Sequence, residues 1–122
     1  MDPTLFENWD LLYDGSGDIS LHVEAFDEGE DSPFLSQDVS SKRLKEKVGS
    51  GSAYHIELAG TFELVIHAVK DNEVYVSFFE KSSEYGWKRV ERFVLNKQEK
   101  KKAAKIVYFG KSCGHYSIVL KD

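Results

Sequence analysis

The sequence predicts a mainly β protein of the α+β class, in which an antiparallel meander forms a curved sheet or small barrel and one short helix lies at the N-terminus. Three observations lead to this fold class. Apolar and polar residues alternate in short stretches, turn-forming residues separate those stretches, and no segment has βαβ spacing. A chain of 122 residues, 41% of them hydrophobic, is long enough to bury one core, so residues 1–122 are predicted to form a single domain.

The predicted N-terminal helix rests on a capping box. Thr4 and Glu7 have the spacing at which each side chain can bond the backbone amide of the other residue. Apolar residues then recur at helical spacing as far as Tyr13. The same stretch also alternates like a strand, with Trp9, Leu11 and Tyr13 on one face, so a strand is the alternative.

The clearest strand patterns lie at residues 19–25 and in the C-terminal half of the chain. Residues 19–25 alternate strictly between apolar and polar side chains. Apolar residues on one face run from Ile56 to Ile66, and Gly60 within that run predicts a bulge or bend. Lys70–Glu73 has the composition of a hairpin connection. Further strands are predicted at 74–78, 87–95, 106–109 and 115–120.

Residues 27–52 carry no strong strand or helix pattern and are predicted to be an acidic, flexible connection inside the domain. The segment opens with an acidic turn that ends at Pro33. Residues 39–48 are compatible with one or two helical turns, and Gly49–Ser52 has the composition of a flexible joint. A segment of this length without a strong element is often a functional loop.

Charge is distributed very unevenly along the chain. The first 41 residues contain eleven acidic residues and no Lys or Arg, whereas the remainder contains all sixteen Lys and Arg and only ten acids. The formal net charge of −5 therefore combines about −11 with about +6. Such asymmetry indicates that one part docks on the other, or that each part faces a partner of opposite charge.

Acidic residues of the N-terminal third form the first candidate site. Spaced carboxylates beside an apolar anchor could bind a protein that has a basic surface, because such charges accelerate association. The simpler interpretation is that they keep a loop solvated. The candidate partner-binding residues are Asp27, Glu28, Glu30, Asp31, Phe34 and Asp38.

A basic and aromatic segment at 87–108 forms the second candidate site. Its cationic side chains could follow a phosphate backbone while its rings stack on bases, as in small β-barrels that bind single-stranded nucleic acid. An isoelectric point near 5.4 opposes phosphate affinity, and a solvated connection is the simpler interpretation. The candidate residues are Trp87, Lys88, Arg89, Arg92, Lys100, Lys101, Lys102 and Tyr108.

The sequence carries no catalytic, cofactor or metal signature. It has no glycine-rich phosphate motif, no HExxH and no GxSxG, and its four histidines lack the close spacing of a helical metal site. Cys113 and His115 are the least weak candidates for a nucleophile and its base, and no third group that would orient them is identifiable. We therefore expect a non-enzymatic protein that needs no cofactor or metal.

The remaining features favour a cytoplasmic binding protein. Cys113 is the only cysteine, and the chain has neither a signal-like N-terminus nor a run of about 18 apolar residues, so no membrane association is expected. In size, acidity and β-rich pattern the chain resembles bacterial immunity proteins and phage-encoded inhibitors, although no motif carries the resemblance and no residue roles follow from it. The predicted function is binding of a partner protein, as an inhibitor or immunity-type neutraliser. Exposed strand edges would also permit a homodimer.

Overall fold

A computed structural model describes residues 12–13, 19–82 and 86–121. Over these ranges the chain forms nine strands and one helix, in an order that places the helix between the third and fourth strands. The strands are β1 (Leu12–Tyr13), β2 (Ser20–Asp27), β3 (Leu35–Ser40), β4 (Tyr54–Ala59), β5 (Phe62–Lys70), β6 (Glu73–Ser82), β7 (Gly86–Leu95), β8 (Lys101–Tyr108) and β9 (Lys111–Lys121). The helix is α1 (Ser41–Val48).

The strands belong to two sheets. In the first sheet β6 lies between β5 and β7, while β1 and β4 both pair with β5, and all these pairings are antiparallel except that of β1. The second sheet has the order β3-β2-β9-β8 and is entirely antiparallel. Because β2 pairs with β9, the chain is not a simple meander of sequential neighbours.

One hydrophobic core is shared by the two sheets and the helix. Leu21, Leu64 and Ile118 are completely buried within it, and each such side chain contributes roughly 1.5–3 kcal/mol. Phe78 of β6 packs on Tyr116 of β9, with ring centroids 5.0 Å apart. The strand content and pairing confirm the predicted mainly β class with antiparallel sheets and a single helix, and the described strands do not close into a barrel.

The described part of the chain has its single helix at α1 rather than at the N-terminus. Residues 1–11 and 14–18, on which most of the predicted helix falls, lie outside the described residues. Leu12 and Tyr13 belong to β1, where they pair with Ala68 and Val69. For these two residues the strand alternative is therefore correct. No helix in the described ranges is long and apolar enough to cross a membrane.

The segment 27–52, predicted to carry no strong strand or helix, contains β3 and α1. Val39 of β3 and Leu44 and Val48 of α1 are completely buried and hold the segment on the core. The predicted helical turns within 39–48 are thus correct for 41–48. The strand β3 was not predicted because exposed polar residues alternate there with the few apolar ones that face the core.

The predicted strands at 19–25, 74–78, 87–95 and 115–120 are confirmed, apart from Ile19, which precedes β2. The run from Ile56 to Ile66 is a hairpin rather than one bent strand. Ala59 pairs with Phe62, and Gly60 adopts a φ of +44° in the tight turn between β4 and β5. Gly60 therefore marks a reversal of the chain.

Candidate partner-binding surface

The acidic turn, defined as residues 27–31, joins β2 to the segment that leads into β3. The carboxylates of Asp27, Glu28, Glu30 and Asp31 are all exposed. The amide of Glu30 donates to the carbonyl of Asp27 at 3.1 Å, and Gly29 has a φ of +79° that favours glycine. The turn therefore presents its four carboxylates from a defined backbone.

Three contacts fasten the acidic turn to the start of β9. The amide of Glu28 donates to the carbonyl of Cys113 at 3.2 Å. The carboxylate of Glu28 accepts a hydrogen bond from the hydroxyl of Ser112 at 2.6 Å. Next to the turn, the rings of Phe26 and His115 stack with centroids 4.6 Å apart. The acidic turn is thus part of the second sheet's rim.

Gly114 permits the close approach of β2 and β9 beneath the turn. Its φ is +142°, and a Cβ at this position would lie 1.9 Å from the carbonyl oxygen of Phe26. Any larger residue would push the backbone of β2 away, because the obstructing atom belongs to the main chain and not to a movable side chain. The position of the acidic turn therefore depends on this glycine.

The charge of the acidic turn is not neutralised within the described part of the chain. The ion pairs found there use other carboxylates, and Asp27, Glu28, Glu30 and Asp31 pair with no Lys, Arg or His of the described residues. A cavity of about 620 Å³ is lined by the turn together with residues of β8 and β9. Its lining includes Glu28, Glu30, Asp31, Lys105, Ser112 and His115.

Of the other two predicted partner-binding residues, Phe34 lies close to the acidic turn and Asp38 does not. Phe34 is exposed, and its amide donates to the carbonyl of Ala25 near the end of β2. Asp38 lies farther along β3, opposite His22. A hydrogen bond from His22 at 2.8 Å, followed in strength by one from Lys121 at 3.4 Å, lowers the pKa of Asp38. Its carboxylate is therefore already bonded to His22 and Lys121 of its own chain.

An exposed aromatic tip, defined as Val107, Tyr108 and Phe109, lies at the end of the β8–β9 hairpin. Val107 is 46% exposed, Tyr108 38% and Phe109 88%. The ring of Tyr108 contacts those of Phe62 and Phe109 edge to face, at 6.1 Å and 4.4 Å between centroids. Tyr108 is one of the residues predicted to bind nucleic acid. The available signal was Phe109 at the end of the predicted strand 106–109, followed directly by Gly110.

The candidate nucleic-acid residues do not share one face. The pairing of β6 with β7 shifts by one residue at Val90, which has no partner in β6. Trp87 and Arg89, before the shift, therefore face away from the core that the two sheets share, whereas Glu91 and Phe93, after it, face that core. The ring of Trp87 packs against Phe79, and the ammonium of Lys81 lies 5.7 Å from its centroid. Trp87 is therefore half-buried and already in contact with residues of its own chain.

The lysines of that segment are also divided between environments. Lys102 forms an ion pair with Glu91 and lies over the ring of Phe93. Lys101 is exposed on β8, and the carbonyl of Lys100 accepts from the amide of Leu120 at 2.7 Å. Lys88, Arg89 and Arg92 are exposed on β7, in the other sheet.

Cys113 and His115 do not form a nucleophile–base pair. The thiol of Cys113 lies 3.7 Å from the carbonyl of Lys111, and the His115 ring stacks on Phe26. No group of three His, Cys, Asp or Glu within the described ranges is arranged to hold a metal ion.

Comparisons of this chain with protein-family models, with curated proteins and with solved structures found no match.

Proposed function

We propose that this protein is non-catalytic and acts by binding a partner protein that presents a basic surface. The acidic turn carries the proposal, because it holds four exposed carboxylates within five residues and none pairs with a cation of the described residues. Like charges gathered at such a density repel one another and lower the stability of the folded state. A partner with lysine or arginine side chains would relieve that repulsion.

The geometry of the acidic turn suits electrostatic steering. Its carboxylates point into solvent, where a charge acts over about 8 Å at physiological ionic strength. Its backbone is fixed by Ser112 and Cys113, so a partner would not have to order it on binding. Steering of this kind raises the association rate and makes it dependent on salt.

Within this proposal, we favour an inhibitor or neutraliser of the immunity type. Such a protein acts by covering a basic surface of its target and needs no reactive group of its own. Asp38 is expected to contribute less than the acidic turn to binding, because His22 and Lys121 already bind its carboxylate.

The test is affinity capture from cells that produce the protein, with three immobilised forms. One is the wild-type chain. The second carries Asp27→Asn, Glu30→Gln and Asp31→Asn, which remove charge from the acidic turn and keep the bond between Glu28 and Ser112. The control carries Glu46→Gln, Glu57→Gln and Glu99→Gln, which make the same change in net charge at exposed acids outside the turn.

A partner is expected to be retained by the wild type and the control and to be lost, or strongly reduced, on the acidic-turn variant. The partner should then be expressed, purified and shown to bind directly. Equal retention of all proteins by the three forms would contradict the proposal.

A further inference from the structure

The aromatic tip ends in a tight turn that is unfavourable for its own sequence. Tyr108 pairs with Lys111, and the two residues between them have φ values of +52° at Phe109 and +76° at Gly110. Positive φ at both central positions of a two-residue hairpin loop defines a type I′ turn, which favours Asn, Asp or Gly. Phenylalanine is a poor residue for the first position, because its Cβ crowds the backbone in the left-handed region.

The same protein builds the same kind of turn with suitable residues elsewhere. Lys70 pairs with Glu73, and the loop between them is Asp71-Asn72, with φ values of +52° and +64°. Short polar side chains tolerate this conformation because they bond locally to the backbone. The strained residue at the β8–β9 turn is therefore not a requirement of the fold.

Burial does not compensate the strain at Phe109. This side chain is 88% exposed, the highest exposure among the large hydrophobic residues of the described ranges. Its ring rests edge to face on Tyr108, which in turn contacts Phe62 of the core. The tip is thus an apolar projection held in a fixed direction, and such aromatic residues often dominate the energy of protein interfaces.

The aromatic tip and the acidic turn lie side by side at one end of the second sheet. Val107 pairs with Ser112, and the hydroxyl of Ser112 donates to the carboxylate of Glu28. Phe109 is two residues beyond Val107, about 7 Å of extended chain. A single partner can therefore contact both features.

We infer that Phe109 is the apolar anchor of the partner-binding surface, and that it inserts into a pocket of the partner that is bordered by lysine or arginine side chains. This inference rests on the proposed function and adds the apolar half of the same site. The neighbouring carboxylates favour a basic protein as the partner, because they would repel anionic lipid and the phosphate backbone of a nucleic acid.

The test uses Phe109→Asn, which gives the turn the Asn-Gly sequence that type I′ geometry favours. Relief of strain is expected to raise the Tm by roughly 2–6 °C. The probe for binding is the purified partner that the wild type captures and the acidic-turn variant loses. Loss of the anchor is expected to raise the Kd at least about 30-fold. A variant that is more stable and yet binds less cannot be explained by damage to the fold.

The matched control is Asn72→Gly, in the equivalent turn at the opposite end of the molecule. That turn lies beside residues 96–98, just before the start of β8. The aromatic tip lies at the other end of β8, whose eight residues span about 26 Å. We expect the affinity of this variant for the partner to equal that of the wild type.

Two results would overturn the inference. One is a Phe109→Asn variant whose affinity for the partner stays within about 3-fold of wild type, while the acidic-turn variant still fails to bind. The proposed function would then stand without this anchor. The other is binding of the wild type, but not of Phe109→Asn, to phosphatidylcholine vesicles containing phosphatidylserine or to single-stranded oligothymidine. If no protein is captured by the wild type and lost by the acidic-turn variant, the proposed function fails, and the inference fails with it.

Discussion

At the residue scale, the ring and the hydroxyl of Tyr116 have opposite effects on the stability of the fold. Its side chain is completely buried against Phe78, yet its hydroxyl has no hydrogen-bond partner among the described residues. A buried polar group without a partner costs about 1–3 kcal/mol. The ring of Tyr116 therefore stabilises the core while its hydroxyl does the opposite.

Replacing Tyr116 by Phe is expected to leave the free energy of unfolding unchanged or to raise it by about 1 kcal/mol. The ring and its contact with Phe78 are kept, and only the unsatisfied oxygen is removed. Urea unfolding measures the change. Tyr116→Leu is the control, because the smaller side chain leaves a cavity and should destabilise the protein by roughly 2–4 kcal/mol. A loss of more than about 1 kcal/mol in Tyr116→Phe would show that the hydroxyl is bonded.

The same residue gives the protein an expected sensitivity to alkali. Burial first, and the charge of Glu91 second, raise the pKa of Tyr116 above the ordinary value of 10.0. The folded state therefore holds the phenolic proton more tightly than the unfolded state. Stability from this group is complete below pH 10 and falls above it, with a limiting slope of about 1.4 kcal/mol per pH unit. Urea unfolding of the wild type and of Tyr116→Phe at several alkaline pH values measures the effect. The free energy of unfolding should decline less with pH in Tyr116→Phe; identical declines would contradict this assignment.

At the element scale, the strands that could be predicted are those whose alternation is chemically clear. The β2 segment was found because Leu21 and Val23 alternate with polar residues. The β3 strand was missed because Ser36, Asp38 and Ser40 dominate its composition, although Val39 is completely buried. The register shifts between β5 and β6 and between β6 and β7 were not predicted, since such a shift depends on the partner strand and not only on the strand's own pattern.

Gly114 is the element-scale position on which the site geometry depends most. Gly114→Ala is expected to lower the free energy of unfolding by more than about 2 kcal/mol, because the new methyl group would collide with the Phe26 carbonyl and φ is +142°. Gly110→Ala is the control, since its φ is +76° but no atom lies within 4 Å of the new Cβ. It should cost only about 1 kcal/mol. Equal losses in thermal or urea unfolding would show that β2 and β9 can separate freely at this point.

At the scale of the whole molecule, the proposed partner-binding surface is produced by a contact between distant parts of the sequence. The acidic character of residues 27–31 was predictable from composition alone. That this turn lies next to the aromatic tip was not, because it follows from the pairing of β2 with β9, which are separated by most of the chain. Local patterns do not determine which strands become neighbours. The sequence therefore predicted one half of the surface and not the other.

The two halves of the surface have different expected roles. The acidic turn should govern how fast the partner arrives, because its charges act at a distance. Phe109 should govern how long the partner stays, since a buried aromatic anchor acts only after contact.

The most direct test of the central claim is the association rate constant between the protein and its purified partner, measured by stopped flow at low and at physiological salt. The variant with Asp27→Asn, Glu30→Gln and Asp31→Asn is expected to associate at least about 10-fold more slowly than wild type at low salt, and to lose most of the salt dependence. The control with Glu46→Gln, Glu57→Gln and Glu99→Gln should remain close to wild type. Equal rates and equal salt dependence for all three proteins would contradict the assignment of the acidic turn as the docking surface.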